Sequence, residues 1–122
     1  MSNKAINFAE KLASFDDHWS PRVIAEMNDY QFKLVKVKGD FVFHSHFDTD
    51  ETFIVLEGVL RIDFEDGSVT IHSGEMYVVP KGVEHKPYAE EEVKMLLIEP
   101  RGIVNTGNEN SSNLTADLDQ WI

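Results

Sequence analysis

The residues best suited to chemistry lie in "HSHFDTDE", residues 44–51. His44 and His46 stand two positions apart, and the chain has only 5 histidines in all. Alternate residues of a β-strand point to the same side, with Cα atoms about 6.5–7 Å apart. If this stretch is a strand, the two imidazoles project together and can converge on one ion.

Two residues farther along the chain extend this pair. Glu51 opens the apolar segment "ETFIVLEG", and a buried carboxylate needs a partner because its uncompensated burial costs several kcal/mol. A divalent cation would be such a partner. His85 follows the Pro-x-Gly turn of "GEMYVVPKGVEH" and begins the next strand. The sequence therefore predicts a metal site made of His44, His46, Glu51 and His85.

Three imidazoles and one carboxylate suit a first-row divalent ion such as Fe, Mn, Ni, Co or Zn. On an octahedral ion they leave two positions open, which supports polarisation of a carbonyl group by a Lewis acid. Isomerase, lyase and dioxygenase chemistry all remain open. Tyr77, Tyr88 and Glu99 are weak candidates for a catalytic base, and Glu84 is expected to face outward if His85 faces inward.

The elements that must position these residues show strand periodicity. Between about residues 22 and 99, apolar residues alternate and short Gly-containing turns separate the segments, a pattern typical of an all-β sandwich or barrel. Residues 41–46, "FVFHSH", fit this alternation. Asp66-Gly67 predicts a hairpin with a type I′ turn. Residues 93–100, "VKMLLIEP", predict the last strand.

The two ends of the chain have a different pattern. "INFAEKLASF" predicts a short N-terminal helix. After Arg101 the polar run "NTGNENSSN" indicates a flexible extension over residues 101–122, and Leu114, Leu118 and Trp121 in "LTADLDQWI" have helical spacing. We expect this last segment to be a short helix that covers the domain or docks on a second subunit.

Composition narrows the classes of partner. The formal net charge of −11 makes nucleic acid and anionic membrane surfaces poor candidates. There is no cysteine, which excludes disulfides, zinc–cysteine sites and a thiol nucleophile. The sequence shows neither a signal peptide nor an apolar run of membrane-spanning length, so we expect a cytoplasmic protein.

The spacing of the candidate ligands and glycines resembles that of the cupin superfamily, in particular the small bacterial cupins similar to phosphomannose isomerase. The matching positions are Gly39, His44, His46, Glu51 and Gly58 in the first motif, and Gly74, Pro80, Gly82 and His85 in the second. Two positions depart from the family pattern: Gly39 lies one residue nearer His44 than usual, and Ala89 replaces a frequent asparagine.

The resemblance implies a jelly-roll barrel, a double-stranded β-helix with one divalent metal ion bound inside it. It implies one cupin domain over residues 1–122, with the barrel core at about 30–100, and a homodimer. The segments "RVIAEM" and "LTADLDQWI" offer apolar surface for such pairing. Two functions remain: a metal-dependent enzyme acting on a small oxygenated molecule, such as a sugar or sugar acid, or a domain that binds or senses a small molecule without turnover.

Overall fold

The computed structural model describes residues 3–107 and 114–122. Within these ranges it contains one short helix and seven strands, and no helix has the length and apolar composition needed to cross a membrane. The elements are α1 (Phe8–Leu12), β1 (Arg22–Met27), β2 (Tyr30–Asp40), β3 (Glu51–Glu57), β4 (Val59–Phe64), β5 (Gly67–His72), β6 (Met76–Val79) and β7 (Lys86–Pro100).

Strand β7 organises the sheet because it pairs with three others. All the pairings are antiparallel, and the main order is β1-β2-β7-β3-β6. The first residues of β7 pair with β4, which also carries β5, and its last residues pair with β3. The all-β jelly-roll barrel expected from the sequence is confirmed. The last strand is longer than predicted, since it already begins at Lys86.

The period of two along β7 separates an inner from an outer layer. Ala89, Val93, Met95 and Leu97 point into the barrel and belong to its main apolar core. Leu96 points outward and belongs to a second cluster, which is closed by the N-terminal segment that includes α1. The predicted N-terminal helix is thus confirmed, and it covers the outer face of the sheet.

The turn from β3 to β4 explains one of the motif glycines. Gly58 has φ of +98°, and a Cβ atom there would lie 2.9 Å from the carbonyl oxygen of Glu92 on β7. Only glycine combines this backbone conformation with so close an approach. The hairpin between β4 and β5 is also present, but its loop residues are Glu65 and Asp66 and neither has positive φ. The predicted type I′ turn is therefore wrong.

The C-terminal helix predicted from the spacing of Leu114, Leu118 and Trp121 is wrong for the described residues 114–122. Asp119 has φ of +54°, which a right-handed helix does not allow. Trp121 instead forms an isolated parallel bridge with Val23 of β1. The backbone N–H of Val23 donates to the carbonyl of residue 120, so this segment satisfies hydrogen-bonding groups at the free edge of β1.

Candidate metal centre

The loop before β3 carries the first two candidate ligands. Residues 41–46 were predicted to form a strand, but they are irregular apart from one antiparallel bridge between His44 and His85. Their backbones exchange two hydrogen bonds, with N···O distances of 3.0 and 2.9 Å. Directly opposed residues of an antiparallel pair project to the same side. This bridge therefore aligns the two imidazoles, although the expected strand is absent.

The turn after β6 is held against the same loop. The N–H of Gly82 donates to the carbonyl of His46 at 2.7 Å, and the N–H of Lys81 donates to Oδ1 of Asp50 at 2.9 Å. Glu51 begins β3 and pairs with Val79 of β6. Main-chain contacts thus fix all three segments that supply the candidate ligands.

The four side chains predicted from the sequence meet inside the barrel. Their ligand atoms all lie within 4.8 Å of one another, and each residue is buried. Oε1 of Glu51 lies 3.3 Å from Nε2 of His46 and 3.4 Å from Nε2 of His85. Two ligands at about 2.1 Å on opposite sides of an ion are roughly 4.2 Å apart, so small movements bring all four into range.

The polar atoms at the centre of this cluster lack hydrogen-bond partners. These atoms are Nε2 of His46, Nε2 of His85 and Oε1 of Glu51, whose close approaches do not have hydrogen-bonding geometry. Buried polar atoms without partners are costly, because they have lost their hydrogen bonds to water. A divalent cation would satisfy all three at once.

Hydrogen bonds at the other side of two imidazoles set their tautomers. Nδ1 of His44 lies 2.9 Å from the carbonyl of Val42, and Nδ1 of His85 lies 2.9 Å from the carbonyl of Val83. A carbonyl oxygen only accepts, so each Nδ1 holds the proton and donates it. Each Nε2 then presents a lone pair, the form in which imidazole binds a metal.

The electrostatics favour neutral imidazole beside an ionised carboxylate. Burial, together with the charge of His85, lowers the pKa of His44 to about 4. Burial alone would raise the pKa of Glu51, but the imidazoles of His46 and His85 hold it well below its usual value. These are the protonation states that a cation needs, so the donor set fits a first-row divalent ion.

A buried ion pair lies behind Glu51. Nζ of Lys33 donates to Oε1 of Glu99 at 2.9 Å, and both side chains are at most 5% exposed. Burial, and next the charge of Glu51, raise the pKa of Glu99 well above its usual value, while Lys33 opposes the rise. A proton on Glu99 would let this carboxyl group donate a hydrogen bond to Glu51. Glu99 thus acts on the cluster through Glu51.

The other candidate bases lie elsewhere. Tyr77 packs against the apolar core beside Phe64, with ring centroids 5.9 Å apart. The hydroxyl of Tyr88 donates to Glu90 at 2.9 Å, and Arg61 lies over its ring. Neither tyrosine belongs to the cavity beside the cluster.

The other two histidines of the chain, and the acidic residues close to the candidate ligands in the sequence, are on the surface. His18 pairs with Glu92, and His72 contacts Glu75. Glu84 is exposed, as expected from the inward direction of His85. The loop residues Asp48 and Asp50 are exposed as well. None of them belongs to the cluster.

A cavity of about 30 Å³ adjoins the cluster on the side of His44 and Glu51. Its walls are mostly apolar, and Trp19 and Asn105 lie at its border. Nδ2 of Asn105 donates to the carbonyls of Trp19 and Leu114, which joins segments before and after the barrel. Neither residue could be predicted from the sequence, because no local motif marks a contact that joins the two ends of a chain.

The segment after β7 also supports the histidine loop. Gly107 has φ of +58°, and a Cβ atom there would overlap the carbonyl oxygen of Ser45 and lie 3.3 Å from Cδ2 of His44. Glycine is therefore required where these two backbones meet. This backbone contact packs the segment after β7 against the loop that carries His44 and His46.

Comparison with known proteins agrees with the fold. The family model Cupin_2, described as cupin domain, matches residues 32–99. These residues include all four candidate ligands.

Two crystal structures share both sequence and fold with the chain. A cupin-2 domain containing protein from Shewanella frigidimarina is 68% identical, with a TM-score of 0.78 over 79% of this chain and 94% of that one. Protein NMB1881 from Neisseria meningitidis is 40% identical, with a TM-score of 0.73 over 80% of this chain and 99% of that one.

Among curated proteins, the uncharacterized protein YdbB of Bacillus subtilis is 41% identical over 64 residues. The match covers 52% of this chain and 57% of YdbB, so the aligned part is little more than half of that relative. The family model covers more than half of this chain, and the two crystal structures match most of it. The chain therefore belongs to the cupin domain family.

Proposed function

We propose that the protein is a metal-dependent enzyme that acts on a small oxygenated molecule. The observation that carries this proposal is the buried cluster of His44, His46, Glu51 and His85 beside a cavity, in which the ligand atoms of the last three have no hydrogen-bond partner. A first-row divalent ion bound there would supply Lewis-acid chemistry to an oxygen of the substrate. The proposal covers isomerase, lyase and dioxygenase reactions.

The protein's own residues would hold and orient the reacting partners. The carbonyls of Val42 and Val83 keep the protons of His44 and His85 on Nδ1, so both Nε2 atoms face the centre. Glu51 supplies the negative charge, since the imidazoles of His46 and His85 hold its pKa well below the usual value. The apolar walls of the cavity restrict the access of water, which strengthens electrostatic interactions at the site.

A specific observation also favours the second candidate, a domain that binds or senses a small molecule without turnover. The polar residues that line the cavity are His44, Glu51 and Asn105. Two of these belong to the metal cluster, and an asparagine amide does not transfer protons near neutral pH. A reaction that needs a separate general base would have to take it from outside the described cavity.

Turnover with a controlled metal supply distinguishes the two candidates. The metal-loaded protein would be tested with a panel of ketones, phenols, sugars and sugar acids. We expect it to convert at least one of these compounds. Chelation should abolish this activity, and one divalent metal should restore it. The variant His46→Ala should be inactive, whereas His72→Ala, on the exposed surface, should retain activity. Binding without conversion, at the same metal content, would favour the sensing domain.

We also propose that the protein forms a homodimer, through a different surface from the one first expected. The C-terminal segment bridges to β1 at Val23 and so covers that part of the strand's edge. Strand β6 is at the other end of the sheet order, and its Met76 and Val78 are exposed. An edge strand with exposed apolar side chains favours pairing with another chain.

A further inference from the structure

The cavity beside the cluster is unsuited to a polyhydroxylated or charged ligand. Apolar side chains from β2, β3 and β7 form its walls, among them Val35, Val37, Phe53, Met95 and Leu97. Among the described residues, no lysine or arginine lines it. A hydroxyl group placed against hydrocarbon loses its hydrogen bonds to water without replacement, and a charged group loses more.

The two buried lysines of the described residues are already paired, so neither is free to receive a charged ligand. Nζ of Lys33 binds Glu99, and Nζ of Lys36 donates to the carbonyl of Phe15 at 2.6 Å. A phosphate or a second carboxylate in the cavity would therefore lie against hydrocarbon. Asn105 already donates to the carbonyls of Trp19 and Leu114 and accepts from the N–H of Ala116, so the polar groups of the wall that a ligand would meet are those of the metal cluster.

The outer part of the cavity has a flat aromatic wall. The rings of Trp19 and Phe41 stack with centroids 4.5 Å apart and planes 14° apart, and Phe41 meets His44 edge to face at 5.3 Å. Such a wall favours the flat face of a ring or another hydrocarbon surface. It leads directly to a candidate metal ligand.

We infer that the site takes a small, uncharged and largely hydrocarbon molecule with an oxygen at one end, of the phenol or cyclic alcohol type. This inference rests on the proposed function, because the oxygen would face the metal cluster. It differs from the sugar or sugar acid that the sequence resemblance implies. One water needs roughly 10–15 Å³ of such space. A cavity of about 30 Å³ therefore holds two or three waters, and a six-membered ring enters only if side chains of the wall move.

The tryptophans allow a direct test. The chain contains 2, and Trp121 is 52% exposed, so Trp121→Phe leaves Trp19 as the sole fluorescent tryptophan beside the cavity. This variant would be titrated with cyclohexanol, phenol, myo-inositol and gluconate, in metal-loaded and in chelated form. Cyclohexanol and myo-inositol share one ring and differ in hydroxylation. We expect cyclohexanol and phenol to change the Trp19 emission saturably, with at least tenfold tighter binding than myo-inositol or gluconate.

A cavity variant locates the binding. Val35→Ile adds a methyl group to the wall, and we expect it to weaken cyclohexanol binding at least threefold. Val59→Ile, at an exposed position of β4, should leave binding unchanged, and circular dichroism would verify that both variants fold. Equal or tighter binding of myo-inositol or gluconate, absence of a saturable signal, or equal effects of the two variants would overturn the inference.

The chelated form separates this result from the metal proposal. The apolar walls do not depend on the ion, so the preference for cyclohexanol over myo-inositol should persist without metal, although both bind more weakly. A protein that retains no metal but keeps this preference would refute the proposed function and leave the cavity inference standing. A metal-loaded protein that prefers gluconate would refute the cavity inference and leave the proposed function standing.

Discussion

Removing Lys33 should lower the free energy of unfolding by much more than the loss of one ordinary ion pair would. In Lys33→Met, the Glu99 carboxyl group stays buried next to Glu51 but has no cation. Breaking a buried pair from one side costs about 3–5 kcal/mol, because the remaining carboxyl group must either keep a charge without water or a partner or take up a proton. We expect a loss of this size in the free energy of unfolding of the metal-free protein at pH 7.

The loss should depend on pH and on Glu99. The raised pKa of Glu99 means that this group takes up a proton readily, so the loss should shrink as the pH falls toward 5. In the double variant Lys33→Met/Glu99→Gln the buried charge is gone, and the total should be smaller than the sum of the single changes. Urea unfolding followed by circular dichroism measures both effects, and constant m-values would show that the transition is comparable.

An exposed pair of the same length provides the control. Nζ of Lys86 lies 2.9 Å from Oδ1 of Asp40, whose side chain is 67% exposed. Exposed pairs contribute about 0–1 kcal/mol, so Lys86→Met should cost little. If Lys33→Met and Lys86→Met reduce stability equally, or if the two changes in the double variant are additive, the reasoning on Lys33 and Glu99 is refuted.

Three further outcomes follow from the structure. Because the pKa of His44 is about 4 in the folded chain and about 6.5 when unfolded, the unfolded state binds the proton first. Metal-free protein should lose up to about 3 kcal/mol of stability between pH 6.5 and 4, and His44→Asn should flatten this pH dependence in urea unfolding. Gly107→Ala should cost at least about 1 kcal/mol more in thermal unfolding than Gly102→Ala. Both glycines have positive φ, but only the first meets the Ser45 carbonyl; equal costs would contradict this contact. Light scattering should give twice the chain mass of 13.9 kDa, and a mass of one chain would refute the dimer.

The strands could be predicted because their period of two is a local property of the sequence. Residues 41–46 show why the rule has limits. Alternate residues of a strand share one face, yet Phe41 is buried and Phe43 is exposed, and the bridge of this segment lies at His44 alone. A strand needs a neighbour along its length, and the pattern of one segment does not reveal whether that neighbour is present.

The C-terminal segment shows the same limit for helices. Three apolar residues at helical spacing are weak evidence in a segment of nine residues, because a short helix has a costly nucleus. Pairing with Val23 offers that segment backbone hydrogen bonds without this cost. Leu118 and Trp121 are about half exposed as a result, and the apolar face expected of a helix is not formed.

The four candidate ligands were predictable because His-x-His, Glu51 and His85 each stand next to a local signal. The buried ion pair of Lys33 and Glu99 was not predictable. Lys33 and Glu99 are 66 positions apart, and each occupies a strand in which polar residues usually face water. The register of β2 on β7 puts both inside the barrel, and this register is a property of the whole sheet.

The metal content of the purified protein tests the central claim most directly. Elemental analysis should find close to one divalent ion per chain after incubation with Mn, Fe, Ni, Co or Zn. His46→Ala should lose the ion, because only three of the four ligands remain. His72→Ala, at an exposed position outside the cluster, should keep it. Wild-type protein that binds none of these metals, or His46→Ala protein that binds as much as wild type, would contradict the assignment of the cluster as a metal centre.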